Sequence, residues 1–356
     1  MPKIKKYMIN TLLNFKIEGE ILSCERYGNG HINVTYLVVT TKRRYILQKI
    51  NNYVFKDVDV LMNNIELVTS YLRSINTETL DIVRTLDDKT YYHDESGYYR
   101  VYLFVENSLC LEKATDLDLV YRAGKSFGAY HKSLAKMDAS KLKETIPHFH
   151  DTRKRYNDFL KAKEENKLNR LNTCLNEVKT VEKYQELYGL FVDSIADHSI
   201  ALAVTHNDPK INNVLFDNDT KQMRCIIDLD TVMPGSVLYD FGDALRSLFT
   251  GENEDSKDLS LLKVNYDIFR SYLQGYYSET RGVLNNKEIE YLSLAPFMLT
   301  IECGMRFLAD YLEGDVYFHT KYPEHNLVRA RTQLTLAEDI LNNQEKLKEI
   351  VREITK

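Results

Sequence analysis

The stretch VTHNDPKINNVLF, residues 204–216, sets His206 two residues before Asp208 and Asn213 five residues after it. A second apolar run, CIIDLD, ends in Asp228 and Asp230. Moving a phosphoryl group onto an alcohol asks for such a set. It needs a carboxylate beside the attacking hydroxyl, oxygen ligands for magnesium, and fixed positive charge near the phosphates. Asp208 can act as the base, and Asn213 can offer an amide oxygen to the metal. Asp228, ending a β-run, can bridge metal to the β- and γ-phosphates. Asp230 lies on the same side if the strand continues, as a further metal ligand or as a partner that supports one. The spacing from Asp208 to Asn213 permits a loop that curls back. The turn DNDTKQ then lets the two short strands pair, so that Asp228 comes alongside Asn213. His206 reads as a hydrogen-bonding residue that orients the loop, not as a proton carrier.

A second constellation lies near the N-terminus. GNGHIN, residues 28–33, begins like a dinucleotide fingerprint, but Asn33 stands where a third glycine belongs. A strand-like run, VTYLVV, follows instead of a helix, so the Rossmann reading fails its own context. Gly28 and Gly30 between two strands fit a phosphate-covering hairpin, where missing side chains let backbone N–H groups come close. His31 and Asn33 would point from this loop toward the phosphates or the acceptor. The plan also needs a cation on the third strand. In YILQKI, strand alternation lets only one of Gln48 and Lys49 face the cleft. Lys49 is chosen because it carries the charge, with Glu66 on the following helix as its partner.

These groups need elements to hold them. The first hundred residues read as strand-rich, with a helix over residues 55–74 where Val58, Leu61, Ile65, Val68 and Leu72 recur at helical spacing. KTYYHD and YYRVYLFVEN around a Ser-Gly turn predict a hairpin. Beyond Asn107 the pattern turns helical, over residues 119–134, 153–169, 177–196, 240–249, 261–277, 289–312 and 327–350. NVLF and MRCIIDLD interrupt it. The acidic GENEDSKD reads as a solvated loop.

With 356 residues, 44% of them hydrophobic, the chain can build one large domain or two lobes, each with a core. The formal charge of −5 lacks the basic excess of wholesale nucleic-acid binding. Five scattered cysteines without a CxxC pair support neither a disulfide framework nor a zinc site, and point to a reducing, cytoplasmic setting. YLSLAPFMLTI is about half the roughly 20 apolar residues a membrane helix needs, so no membrane partner is expected. No secretory signal is visible.

Kinase-like enzymes carry His-Arg-Asp, an Asn five residues after the Asp, and then a metal-binding Asp. In order, spacing and strand context, residues 203–246 resemble the aminoglycoside phosphotransferase and choline kinase superfamily. Within it the chain is most similar to the N-acetylhexosamine 1-kinases, through residues 28–36, 206–242 and 302–318. The resemblance implies an α+β fold class, bilobal and protein-kinase-like. Residues 1–107 would form a small antiparallel-sheet, nucleotide-binding lobe, and residues 108–356 a larger, mostly helical lobe for catalysis and acceptor binding. ATP and Mg2+ are the implied cofactors, with adenine against the backbone near Val105 and Glu106. Asp240 is expected to brace the catalytic loop, and Arg246 likewise. Related sequences can place the basic residue directly after the Leu of the third strand, where Gln48 stands here.

The implied reaction is phosphorylation of the anomeric hydroxyl of an N-acetylhexosamine to the 1-phosphate. In ECGMRFLADYLEGDVYFHT the resemblance tilts Arg306 and Tyr317 toward sugar contact. Glu302, Arg306 and Asp310 also share one helix face, which a salt-bridged stripe would explain. Other small alcohols stay open as acceptors: choline, ethanolamine, homoserine or an aminoglycoside. A cationic acceptor would want an aromatic cage or an acid cluster, for which Asp243, Glu252, Glu254 and Asp255 are available. A nucleotide-binding pseudokinase is a third reading, disfavoured because base and metal ligands are all present. A monomer or weak homo-oligomer is expected.

Overall fold

The computed structural model describes residues 6–28, 32–251 and 254–356, with side chains from Met8 onward. In chain order it runs α1 (Lys6–Leu12), β1 (Ile21–Arg26), β2 (Val34–Thr40), β3 (Arg44–Ile50) and α2 (Val58–Ser74). Next come β4 (Ile82–Val83), β5 (Tyr92–Asp94), β6 (Gly97–Leu103), β7 (Ser108–Cys110) and α3 (Leu117–Leu134). Helices α4 (Thr152–Glu165), α5 (Leu175–Lys183) and α6 (Leu190–Ala196) lead to β8 (Ala203–Thr205), β9 (Val214–Asp217), β10 (Met223–Ile226) and β11 (Met233–Gly235). The rest is helical: α7 (Val237–Thr250), α8 (Tyr266–Thr280), α9 (Asn286–Tyr291), α10 (Ala295–Glu313), α11 (His325–Asn342) and α12 (Gln344–Thr355). This is an α+β, protein-kinase-like fold: an antiparallel sheet first, then a largely helical region. The chain divides into two compact units.

The first unit runs to Leu109 and takes in Lys141–Pro147 and Leu215–Met233 from further along the chain. Its main sheet has the order β1-β2-β3-β6-β4, with β5 on β6. One face is apolar where Val38, Tyr45, Leu47, Tyr99 and Val101 meet Met8, Leu12 and Phe15 at the N-terminus. Period-two alternation sends the intervening residues Ile46, Gln48 and Arg100 to the other face, and Met62 of α2 lies against Arg100 there. Helix α2 starts where the Asp57 carboxylate accepts the Val60 amide at 2.9 Å. Inside it, buried Asn64 donates to the Val232 and Lys143 carbonyls at 2.9 and 2.7 Å. A second sheet, β10-β9-β7, carries the segment that leads to Asp228.

The second unit comprises Cys110–Ser140, His148–Val214 and Pro234–Lys356. Helix α10 is buried along most of its length and packs on α4, α7 and α11. Helices α3 and α8 pack on each other through glycines. A Cβ on Gly275 would fall 2.0 Å from the Tyr121 carbonyl oxygen, and one on Gly124 2.2 Å from that of Tyr272.

Three expected helices are each two. Residues 177–196 break after Lys183, and the Tyr188 hydroxyl folds back to donate to the Val181 carbonyl at 2.6 Å. Residues 289–312 break ahead of Pro296, which opens α10 where its missing N–H costs nothing. Residues 327–350 break at Asn343, whose side chain donates to the Asp339 carbonyl at 2.7 Å and so caps α11. The acidic loop near residue 255 is anchored through Asp255, which meets Arg329, His325 and Lys321 at 2.9, 3.0 and 3.1 Å. Among the described residues no helix is long and apolar enough to cross a membrane. All five cysteines are free.

Candidate active site

The loop after β8 hangs on one buried carboxylate. Asp240, on the first turn of α7, accepts the His206 amide at 2.7 Å and the Asn207 amide at 2.6 Å. Its Oδ2 also meets His131 Nε2 at 2.7 Å, and His131 Nδ1 meets the Tyr276 hydroxyl at 2.8 Å. Burial alone would push the Asp240 carboxyl up, but the hydrogen bond and charge of His131, then the His206 contacts, hold it below its ordinary value. Asp240 therefore braces the loop instead of capping its own helix. His206 is fully buried against the rings of Phe127 and Tyr130, and its Nδ1 accepts the Asp208 amide at 3.2 Å. Asn207 takes a left-handed φ of 63°, which Asn tolerates well. This geometry leaves the Asp208 side chain about a third exposed at the tip of a rigid loop.

Asn213 curls back as its spacing predicts: Nδ2 donates to the Asp208 carbonyl at 2.8 Å, which leaves Oδ1 as the atom to offer a cation. Lys210 is a functional candidate that the sequence reading passed over. Its Nζ sits 2.8 Å from Asp208 Oδ1, and the Asp208 charge holds the ammonium above the usual lysine range against burial. Its place two residues after the Asp was the available signal.

The three residues of the expected charged stripe do not pair with one another. Glu302 accepts from Thr152 Oγ1 at 2.5 Å and meets His150 Nδ1 at 2.8 Å. The other His150 nitrogen lies 3.4 Å from the Asn207 carbonyl oxygen, so Glu302 supports the loop after β8 through a histidine. Asp310 gathers the amides of Val316, Tyr317 and Phe318 at 2.8 to 2.9 Å and shapes the turn after α10. Arg306 is left between the rings of Phe149 and Phe318, at 5.1 and 5.7 Å. Tyr317, 58% exposed, stands edge-on to Phe318. The acids that a cationic acceptor would want are taken. Asp243 receives Arg246 Nε at 2.6 Å, Glu254 lies 3.5 Å from Arg246, and Asp255 has its basic partners. Glu252 lies outside the described residues.

In the first unit, Asp228 sits at the end of the β10 segment with a left-handed φ of 58°. The Asp230 carboxylate is turned inward, where Arg100 Nη1 lies 2.5 Å from Oδ1 and Asn33 Nδ2 donates to Oδ2. Asn33 Oδ1 accepts the Asn51 amide at 2.9 Å, so Asn33 ties the end of β3 to the Asp230 segment. Thr145 Oγ1 holds the Asp230 carbonyl at 3.0 Å. Burial would depress the Arg100 guanidinium, yet the charge of Asp230, with Asp228 adding to it, raises it well above its ordinary value. Arg100 and Asn64 carry no local motif, and nothing in their immediate sequence singles them out, whereas Glu302 stood out only as one of a charged helix stripe.

Lys49 stands on the face opposite Arg100 and Asp230, lining a cavity with Met8, Tyr36, Ser96 and Tyr99. Strand alternation gives the Arg100 face to Gln48 instead, and Gln48 Oε1 accepts Arg100 Nε at 2.9 Å. Glu66 is ion-paired with Arg84, so the expected Lys49–Glu66 pair does not form. Gly28 has a left-handed φ of 71°, a conformation that favours glycine. Gly30 and His31 lie outside the described residues. The Val105 carbonyl accepts Ser108 Oγ at 2.6 Å, and the Glu106 carbonyl accepts Arg224 Nη1 at 3.0 Å.

Each unit offers an oxygen donor of the kind a hard cation takes. Magnesium is usually held by one or two carboxylates together with substrate phosphates, not by an all-protein cage. The Asp228 carboxylate in the first unit and Asn213 Oδ1 in the second are donors of that kind.

The family model described as "Phosphotransferase enzyme family" matches residues 23–276, more than half of the chain, and the chain belongs to that family. Solved structures of like fold include an aminoglycoside phosphotransferase from Alicyclobacillus acidocaldarius, 14% identical, with a TM-score of 0.62 over 99% of this chain and 98% of that one. A microcompartment-associated aminopropanol kinase is 16% identical, with a TM-score of 0.60 over 95% and 98%. A spectinomycin phosphotransferase solved with ADP and spectinomycin is 13% identical, with a TM-score of 0.59 over 96% and 99%.

Proposed function

We propose that the chain is an ATP- and magnesium-dependent kinase that phosphorylates the anomeric hydroxyl of an N-acetylhexosamine, giving the 1-phosphate. The observation that carries the acceptor assignment is Arg306 between two aromatic rings beside exposed Tyr317, on the unit that also carries Asp208. Such a wall offers a donor to sugar oxygens and a ring face to sugar C–H groups. The pairing of Asp243, Glu254 and Asp255 with basic side chains argues against a cationic amino alcohol held by those acids. A spectinomycin phosphotransferase and an aminopropanol kinase share the fold, so amine-bearing acceptors are the comparison to beat.

In this reading Asp208 orients the acceptor hydroxyl and takes its proton. The hydroxyl oxygen bonds to the γ-phosphorus as the bond to the bridging oxygen breaks. Asn213 and Asp228 would each offer an oxygen to magnesium, which when bound would supply positive charge against the nucleotide phosphates. Asp230, engaged by Arg100 and Asn33, supports this segment rather than ligating the metal. Lys210 steadies the Asp208 carboxylate and the charge that develops beside it. Catalysis is then mainly positioning and charge stabilisation.

Phosphorus NMR of reactions with ATP and a panel of acceptors tests the assignment. N-acetylglucosamine or N-acetylgalactosamine should give an anomeric phosphate signal. Turnover of choline, ethanolamine, aminopropanol or spectinomycin with none of the sugars would replace the acceptor. Turnover of nothing, with nucleotide still bound, would favour a pseudokinase.

A further inference from the structure

We propose that Arg100, on β6, supplies the fixed positive charge that faces the nucleotide phosphates, in place of a lysine on β3. The inference rests on the kinase reading above. Gln48 and Arg100 are partners in the antiparallel register of β3 and β6, so their side chains leave the sheet side by side on one face. That face carries Asp230 in contact, and Asp228 close enough to influence the guanidinium. Lys49 leaves from the other face, toward Tyr99.

The residue types fit the exchange. Arg100 is 1% exposed, and a lysine buried to that extent sheds its proton readily, whereas a guanidinium keeps its charge. Poor screening in such a place lets the charge act on a neighbouring anion. Gln48 is the neutral brace that a buried cation needs on its flank. It accepts from Arg100 Nε and passes its own amide to Thr35 Oγ1 at 3.1 Å, on the strand that follows the glycine loop.

Titration calorimetry of the full chain with adenosine and with ATP–magnesium tests the proposal. Wild type should bind ATP more tightly than adenosine. Arg100→Gln should lose about 10- to 100-fold in ATP affinity, the scale of one charge-assisted contact, and keep its adenosine affinity. Adding Gln48→Lys to Arg100→Gln should recover most of the loss, because the cation returns to the same face from the adjacent strand. The proposal is overturned by equal losses for both ligands, by no recovery in the double variant, or by a phosphate preference that vanishes in Lys49→Met instead. Should Arg100→Gln not fold, Gln48→Leu reads the same question. It should weaken ATP several-fold and spare adenosine, and an equal effect on both overturns the idea. Wild type that binds no nucleotide overturns the kinase reading and this proposal with it, whereas the other negative results overturn this proposal alone.

Discussion

Asp208 and Asp240 divide the labour of one loop, and single-atom changes separate their roles. Asp208→Asn removes the proposed proton acceptor and keeps the shape. Turnover should fall roughly 10²- to 10⁴-fold with ATP affinity little changed, and steady-state kinetics beside calorimetry check the split. Asp240→Asn keeps the shape too, but turns one accepting oxygen into a donor facing backbone N–H groups. A buried donor left without its partner costs about 1–3 kcal/mol. The expected result is a fall in thermal stability together with a lower kcat, read by scanning calorimetry and kinetics on the same preparation. Wild-type stability in Asp240→Asn would refute the bracing role.

Helices α3 and α8 lie close because three positions lack a side chain. Methyl groups at Gly124, Gly128 or Gly275 would land within 2.0 to 2.6 Å of a backbone carbonyl on the other helix. Backbone yields less than a side chain, so Gly275→Ala should lower the unfolding free energy by at least about 1–3 kcal/mol, the range for overpacked cores. A denaturant midpoint measures it. His131 of α3 meets the bracing Asp240 and Tyr276 of α8 meets His131, so the same variant should lose turnover ahead of nucleotide affinity. At this scale the sequence was clear on helix existence and poor on helix ends. Pro296 was in plain view as a start signal and should have split residues 289–312. The breaks at Lys183 and Asn343 depend on side chains that turn back onto carbonyls, which periodicity alone does not register.

Taken as a whole the chain keeps several carboxylates acidic. Asp240 and Asp243 are held below their ordinary value of 3.8, and Glu302 below 4.5, because paired charges outweigh burial in each case. Asp255 is brought down to about 2 against partial burial by hydrogen bonds from Arg329, His325 and Lys321. Depressed groups stabilise the fold above their unfolded pKa and cease to do so as pH falls through the folded one. The melting temperature should hold steady down to about pH 5 and then drop as pH falls toward about 2. Asp255→Asn should flatten part of that drop. A melting temperature that rises on acidification would contradict these shifts.

The candidate site was legible where its parts are neighbours in sequence. Asp208, Asn213 and the IDLD run announce themselves by spacing, because a short loop and a strand end fix side chains by local geometry. The residues that hold them did not, since His131, His150, Glu302 and Arg100 reach their partners across more than fifty positions of chain. No window of sequence contains such a pair. Gln48 is the instructive case, because its identity looked like a missing charge until its strand partner was known.

Antiparallel pairing makes Gln48 and Arg100 occupants of one address reached from two directions. A rule that asks for a basic residue directly after the third-strand Leu would meet Gln48 and pass this chain over. Screening by cross-strand pair, with either member free to be basic, would retain it.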